Sequence, residues 1–349
     1  MDWYKYPTGK SRWIENGKEC EDHKGLGIYE IDYITNKKLP ISILPRRNEK
    51  GGGCIWDLKD GSGTYTSVDI QNAIDMGYEI NYKRGLVWNT SAKVFSEYVN
   101  MVYKLKLDAE KEENEIQRSV AKLLLNALYG KTIQKAIFSN TTVINNNYEA
   151  SIQLGAFVLG YSRKIMLDYT DKIVPTLKSD LKMSMLDMWY YTDTDCLHIK
   201  SSQLENIKDD MGDTLGCMDN DIKNGGIVIK SYYLAPKLYA CEYIDKSGNI
   251  KFKLRGKGVP NSLLGFNQYV DLYEKEQGTT VSFESAFKKC KFSSQLIKNG
   301  ENSKNVSAKK LEFLDIFKES MTRTIGKSLW KGRKYMDKIN TIPHYAEFN

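Results

Sequence analysis

The sequence predicts a mixed α+β protein with a helical insertion between strand-rich segments. Three patterns carry that expectation: apolar–polar alternation in the first 90 residues, long helical periodicities between 91 and 169, and two hairpin signatures between 189 and 254. In order, Ile28, Tyr29, Ile31 and Tyr33 begin a strand, and Leu39 to Pro45 suggests a second one after a turn at Asn36-Lys37-Lys38. Arg46 to Gly53 is polar and glycine-rich, which predicts a loop. Tyr65 closes a further strand, Ser67 is placed to cap a short helix, and Gly77 to end it. Tyr78 to Trp88 reads as a strand.

Two longer helices are expected next, from Ser91 to about Ala109 and from Asn114 to Tyr129. A loop over Ser139 to Asn147 precedes a third, from Ile152 to about Tyr169. Trp189-Tyr190-Tyr191 and Cys196 to Lys200 are apolar-rich arms around Thr192-Asp193-Thr194-Asp195, a hairpin with an acidic tip. A second hairpin is expected from Tyr239–Tyr243 through Asp245–Gly248 to Ile250–Leu254. From Pro260 onward, helices and short strands mix.

The chain has 349 residues, 41% of them apolar, and a formal charge of +7. With a mean hydropathy of -0.50 it is composed like a water-soluble globular protein. No run approaches the roughly 18–20 apolar residues that span a bilayer, and Met1-Asp2-Trp3-Tyr4-Lys5 does not open a secretory signal. Six scattered cysteines without a Cys-x-x-Cys pair, together with three histidines, argue against zinc and for a reducing, non-secreted setting. The positive charge is uneven. Seven lysines face Glu301 alone between Lys288 and Lys310, and Arg323, Lys327, Lys331, Arg333, Lys334 and Lys338 face Asp337, with Trp330 and Tyr335 among them. Such a region suits a phosphate backbone, although a solvated basic surface has the same composition.

Two constellations carry chemistry. Asp193 and Asp195, two apart on a strand and turn, can present both carboxylates to one side. Close carboxylates repel unless a cation lies between them, and Mg²⁺ prefers hard oxygen ligands. The same Asp-x-Asp pattern occurs in nucleotide-sugar glycosyltransferases and in ordinary acidic turns. On the second helix, Arg118, Lys122, Asn126 and Tyr129 fall within an arc of roughly 80° at about 100° per residue. Ile116, Val120, Leu123, Leu124 and Ala127 fall opposite, and they are expected to be its buried face. The polar face offers two cations, an amide and a phenol, followed by Gly130, where another chain or ligand can approach closely.

The order Lys122-x-x-x-Asn126-x-x-Tyr129-Gly130, Tyr191-x-Asp193-Thr194-Asp195, Lys237-x-Tyr239 and Lys257-Gly258 resembles the B-family DNA polymerases. The segments Tyr6-Pro7-Thr8-Gly9-Lys10, Leu39-Pro40-Ile41, Gly52-Gly53-Cys54-Ile55-Trp56 and Gly77-Tyr78 follow the order of the protein-primed branch of phages, linear plasmids and viruses. That resemblance implies a right-hand architecture: a palm sheet, a helical fingers insertion and a mixed thumb. Residues 1–90 would be a palm-side insertion resembling the branch's first terminal-protein region, 91–150 the fingers, 151–260 the palm, and 261–349 the thumb with a basic tail.

It also implies roles. Arg118, Lys122, Asn126, Tyr129 and Gly130 would bind the incoming nucleotide. Asp193 and Asp195 would be catalytic ligands of Mg²⁺, or of Mn²⁺ in its place. Tyr191, Lys237, Tyr239, Lys257 and Gly258 would contact DNA. The implied partners are primer–template DNA, deoxynucleoside triphosphates, a terminal-protein primer and an upstream polymerase fragment, with no membrane, in an intracellular viral, plasmid or organellar setting. Ala127 and Cys196 stand where the family usually has serine. The family's other metal-binding aspartate belongs to an Asp-x-x-Ser-Leu-Tyr-Pro segment that should precede Tyr6, and neither it nor the exonuclease is found in the sequence. The chain is therefore expected to be amino-terminally incomplete and, alone, to have little activity. The alternatives are a non-catalytic nucleic-acid-binding remnant and a glycosyltransferase, the latter leaving the helix at 118–130 unexplained.

Overall fold

A computed structural model describes residues 4–39, 42–48, 54–133, 151–173, 189–212, 214–222, 225–235, 237–256, 259–275, 277–288, 316–325 and 344–347. The chain divides into two compact units. The described residues up to 227 form the first, and those from 228 onward the second.

The first unit is built on an antiparallel sheet ordered β2-β7-β3-β6, from Arg12–Ile14 (β2), Leu26–Ile34 (β3), Gly61–Thr66 (β6) and Glu79–Trp88 (β7). Burial along β3 alternates strictly, so Tyr29, Ile31 and Tyr33 point into the core, as period-2 patterning demands. Helix α1 (Gly17–Asp22) is capped by Asn16, whose side chain accepts from the N–H groups of Lys18 and Glu19. Helix α2 (Ser67–Asp75) lays Ile70 and Ala73 into the same core. Its cap is Thr66, one residue before the expected Ser67. The Thr66 hydroxyl accepts from the Asp69 N–H, while the Ser67 hydroxyl accepts from the Gly27 N–H on β3. Gly77 ends the helix as expected, at φ 80, with the Gly77 and Tyr78 N–H groups donating to Ile74 and Ala73.

The expected second strand over 39–45 is not formed in its described part. Pro40 and Pro45 remove two ladder donors, and the chain at 42–44 is held by side chains instead. The Ile43 N–H donates to the Tyr78 hydroxyl at 3.0 Å, and Ser42 Oγ donates to the Leu44 carbonyl at 2.8 Å. A short ladder of Arg46–Arg47 (β4) with Cys54–Ile55 (β5) stands at the ends of the expected loop.

Tyr6–Thr8 (β1) pairs with Thr90–Ala92 (β8), so the next helix starts at Ser96 rather than Ser91. Helices α3 (Ser96–Lys111) and α4 (Glu115–Thr132) form a tight hairpin. The Glu113 and Asn114 N–H groups donate back to Glu110 and Ala109, with Glu113 at φ 53, and Asn114 then caps α4 through the Gln117 N–H. The long helix α5 (Ile152–Ile173) joins two parts of the core. Phe157, Val158 and Tyr161 pack with Tyr6, Trp88, Phe95 and Val99, while Tyr169 and Ile173 pack into the core of the sheet. Each large apolar side chain fully buried there contributes about 1.5–3 kcal/mol. An ion pair also anchors α5: Arg163 donates to both Asp69 carboxylate oxygens, at 2.7 and 2.9 Å.

The second unit carries a sheet ordered β13-β12-β11-β16, from Ile227–Ala235 (β11), Leu238–Ile244 (β12), Ile250–Gly256 (β13) and His344–Glu347 (β16). The β12–β13 hairpin is the expected one, its turn held by Asp245 accepting from the Ser247 and Asn249 N–H groups. Helix α6 (Phe266–Glu274) buries Tyr269 and Leu272 against Tyr232, Leu234, Leu238 and Ala240. Beyond it, Thr279–Lys288 (β14) and Ile316–Ile325 (β15) pair over ten residues each, longer than the short strands expected. The remainder of the basic carboxy-terminal region lies outside the described residues.

Candidate active site

The acidic tip forms where the sequence places it. Tyr191–Asp193 (β9) and Cys196–His198 (β10) pair in antiparallel register, with Asp193 opposite Cys196 and Tyr191 opposite His198. The Asp195 N–H donates to the Asp193 carbonyl at 2.9 Å, closing a tight turn around Thr194 at φ 64. That conformation is unfavourable for a β-branched residue and persists only where its surroundings enforce it. Trp189, Leu197 and Ile199 pack against the sheet core and fix the arms. At the tip Asp193 is half-buried, Asp195 is exposed, and Thr194 Oγ1 donates to Asp193 Oδ1 at 3.2 Å. Cross-strand, the Tyr191 and His198 rings meet edge to face at 5.3 Å.

Burial pushes the Cys196 thiol up, and the carboxylates of Asp193, Asp195 and Asp221 add to the rise, against a backbone hydrogen bond from Asp193. Asp221 is thus a third carboxylate whose charge acts on the Cys196 thiol. It is invisible in the sequence because no local spacing links it to the Asp193 turn. Among the described residues no three His, Cys, Asp or Glu side chains gather as ligands for a metal. Two carboxylates nevertheless fit Mg²⁺, which is commonly held by one or two of them while substrate phosphates complete its shell.

Helix α4 corrects the sequence reading of its faces. Ile116 is 80% exposed and Leu123 67%, and Val120, Leu124 and Ala127 are exposed as well. The buried side is Ala121, with Leu125, Leu128 and Tyr129 packed against the cluster around Tyr6 and Phe157. The helix has apolar residues on two stripes, and α3 and α5 cover the second one. Lys122 and Asn126 remain exposed, while Tyr129 is half-buried. Among the described residues, a Cβ built on Gly130 meets nothing within 4 Å, so no packing there requires glycine. A glycine inside a helix costs about 0.5–1 kcal/mol relative to alanine. Arg118 is engaged within the protein: Nε donates to Glu110 Oε1 at 2.9 Å, and Nη1 lies 3.4 Å from Glu115 Oε2.

The first unit therefore holds Arg118, Lys122, Asn126, Tyr129, Gly130, Tyr191, Asp193 and Asp195. Helix α5 serves both parts of this set, packing near α4 through its first half and into the core below the hairpin through its second. At Gly155 an added Cβ would come within 2.2 Å of Ile133 Cγ2, so the end of α4 is drawn tightly onto α5. Lys237 and Tyr239 belong to the second unit. Lys237 is exposed at φ 58 between β11 and β12, whereas Tyr239 is buried, its ring 6.1 Å from Tyr233. Lys257 and Gly258 lie outside the described residues. No helix among the described residues is long and apolar enough to cross a membrane.

Residues 1–172 match the family described as DNA polymerase type B, organellar and viral. A probable DNA polymerase of Podospora anserina is 23% identical over 326 residues, covering 78% of this chain and 26% of that protein. The DNA polymerase of Canine adenovirus serotype 2 is 31% identical over 156 residues, covering 41% of this chain and 13% of that protein. In structure the chain is similar to Phi29 DNA polymerase in its ternary complex with primer–template DNA and incoming nucleotide, at a TM-score of 0.56 and 16% identity. That match covers 82% of this chain and 53% of the phage one, so the chain spans about half of the phage protein and a smaller share of the curated relatives.

Proposed function

Because the chain belongs to the organellar and viral type B DNA polymerases, we propose that it contributes the nucleotide helix and two carboxylates of a DNA-directed DNA polymerase centre. In that reaction a primer 3′-hydroxyl attacks the α-phosphorus of a deoxynucleoside triphosphate, and pyrophosphate leaves. The observation that carries the reading is the tip where Thr194, at φ 64, turns the chain between Asp193 and Asp195. Strain held at a polar tip is a common mark of a functional site. Gly130 supports it, since no packing among the described residues calls for glycine at that point of α4.

Lys122 and Arg118 hold the triphosphate, Asn126 and Tyr129 meet sugar and base, and the bare backbone at Gly130 lets the nucleotide approach. Tyr191 borders the primer terminus. Lys237, with Lys257 and Gly258, grips the DNA backbone, and Tyr239 packs within that strand. A divalent cation, Mg²⁺ or Mn²⁺, held by Asp193 and Asp195 supplies charge stabilisation at the phosphates. A third carboxylate in the family's Asp-x-x-Ser-Leu-Tyr-Pro pattern is not in this sequence, so the chain alone binds nucleotide and DNA but extends primers poorly.

Equilibrium titration of the chain with Mg²⁺–dATP tests the binding half of the proposal. Saturable binding is expected, weakened roughly tenfold or more by Lys122→Ala, a charge-assisted phosphate contact being worth about 1.5–3 kcal/mol. Binding that Lys122→Ala leaves unchanged removes the reading. Primer extension is expected to appear when a polypeptide carrying the absent motif is added. Vigorous extension by the chain alone contradicts the division of carboxylates. The alternative, a non-catalytic nucleic-acid-binding remnant, predicts salt-sensitive primer–template binding that is indifferent to Asp195→Ala and Lys122→Ala.

A further inference from the structure

Arg118 sits in a place that does not suit an anion. Its guanidinium donates to Glu110 across the α3–α4 turn at 2.9 Å and lies 3.4 Å from Glu115. Glu110 is shared with Lys106, whose Nζ is 3.5 Å away. Glu110, Glu113, Glu115 and Arg118 line one open pocket of about 560 Å³. Three carboxylates against two cations leave this corner net negative, and a triphosphate would be repelled from it. The pair is nonetheless easy to break, because the Arg118 and Glu110 side chains are 36% and 34% exposed. The turn that brings them together is closed by the backbone: the Asn114 N–H reaches back to Ala109 at 2.8 Å, and Glu113 takes the left-handed position.

Resting on the nucleotide reading of α4, we propose that Glu110 is a displaceable counter-ion which keeps the Arg118 guanidinium against α3 until a nucleoside triphosphate takes its place. Glu110 is then a positioning residue. It sets nucleotide affinity without touching nucleotide, and Lys106 remains as its partner once Arg118 has turned away. Pairing with Arg118 holds the Glu110 carboxyl below its ordinary range, so the counter-ion stays charged at neutral pH. A ligand that must displace an internal partner binds more weakly by the strength of that partner's hold. For a pair this exposed the factor is roughly two- to fivefold.

The test is a double-mutant cycle on the full chain, with Mg²⁺–dATP as the probe and the Arg118 Nε–H signal followed by NMR. Glu110→Gln is expected to tighten binding roughly two- to fivefold, by less at about 0.5 M salt, while Glu110→Asp stays near the parent. In an Arg118→Ala background, Glu110→Gln is expected to change nothing, and nucleotide is expected to shift the Arg118 signal. A gain that persists without Arg118 would show general electrostatic relief, and no gain at all would show a fixed structural staple; either overturns the proposal. If Lys122→Ala weakens binding while Glu110→Gln has no effect, the counter-ion idea alone fails. If neither Lys122→Ala nor Arg118→Ala changes the titration, the nucleotide reading itself fails.

Discussion

Replacing Arg163 with alanine is the most direct probe of how α5 is held to α2. Its guanidinium meets both oxygens of Asp69, at 2.7 and 2.9 Å, and the Asp69 side chain is 4% exposed. Asp69 also accepts from Thr66 Oγ1 at 2.7 Å, at the cap of α2. Removing the arginine leaves a buried carboxylate beside one hydroxyl and its helix N-terminus. Breaking a buried pair from one side costs about 3–5 kcal/mol. Arg163 is 29% exposed, so water reaches into the vacated space and the lower end applies, about 3 kcal/mol. With a urea dependence of about 2.5 kcal/mol/M, the unfolding midpoint should fall by roughly 1.2 M. Tryptophan fluorescence reports it well, since Trp13, Trp56, Trp88 and Trp189 lie in the first unit. The double change Asp69→Asn with Arg163→Leu strands no charge and should recover more than half of the loss. A loss below about 1 kcal/mol for Arg163→Ala, or a double variant worse than the single, refutes the argument.

Three further outcomes follow from local geometry. Glu113→Gly should raise the urea midpoint by the equivalent of about 0.5–1 kcal/mol by relieving the left-handed position at φ 53, whereas Glu113→Ala should not. Leu123→Lys should change stability by less than about 0.5 kcal/mol, because the side chain is 67% exposed; a loss of several kcal/mol, measured the same way, would mean that the stripe is buried after all. Asp60 is held down to about 2 by Lys37, then by the Thr35 N–H and hydroxyl. Its stabilising contribution is therefore complete above the ordinary carboxylate pKa and is lost as pH falls towards 2, so the melting temperature should fall more steeply between pH 4 and 2 for the parent than for Asp60→Asn.

What could be read from the sequence was local. Asp193 and Asp195 are two residues apart, and hairpin spacing alone places them at one tip. Asn114 and Gly77 mark helix ends because a cap acts within one turn. The face of α4 was not local. Two apolar stripes compete on that helix, and the choice of Ala121, Leu125 and Leu128 over Ile116, Val120 and Leu123 depends on where α3 and α5 lie. Similarly, Thr66 could be told from Ser67 as the cap of α2 only once β3 had claimed the Ser67 hydroxyl.

The same division applies to the site. By itself the sequence determined the order of motifs, the acidic pair Asp193 and Asp195 and the polar arc of Arg118, Lys122, Asn126 and Tyr129, because each is set by spacing along one element. Tertiary structure decided that Glu110, eight residues before Arg118, takes its guanidinium, that the Asp221 charge acts on the Cys196 thiol, and that Asp69 meets Arg163 across 94 residues. Charges separated in sequence interact only when the backbone brings them within a few ångströms, and the turns and packed helices that do so leave no periodic mark on the residues they join.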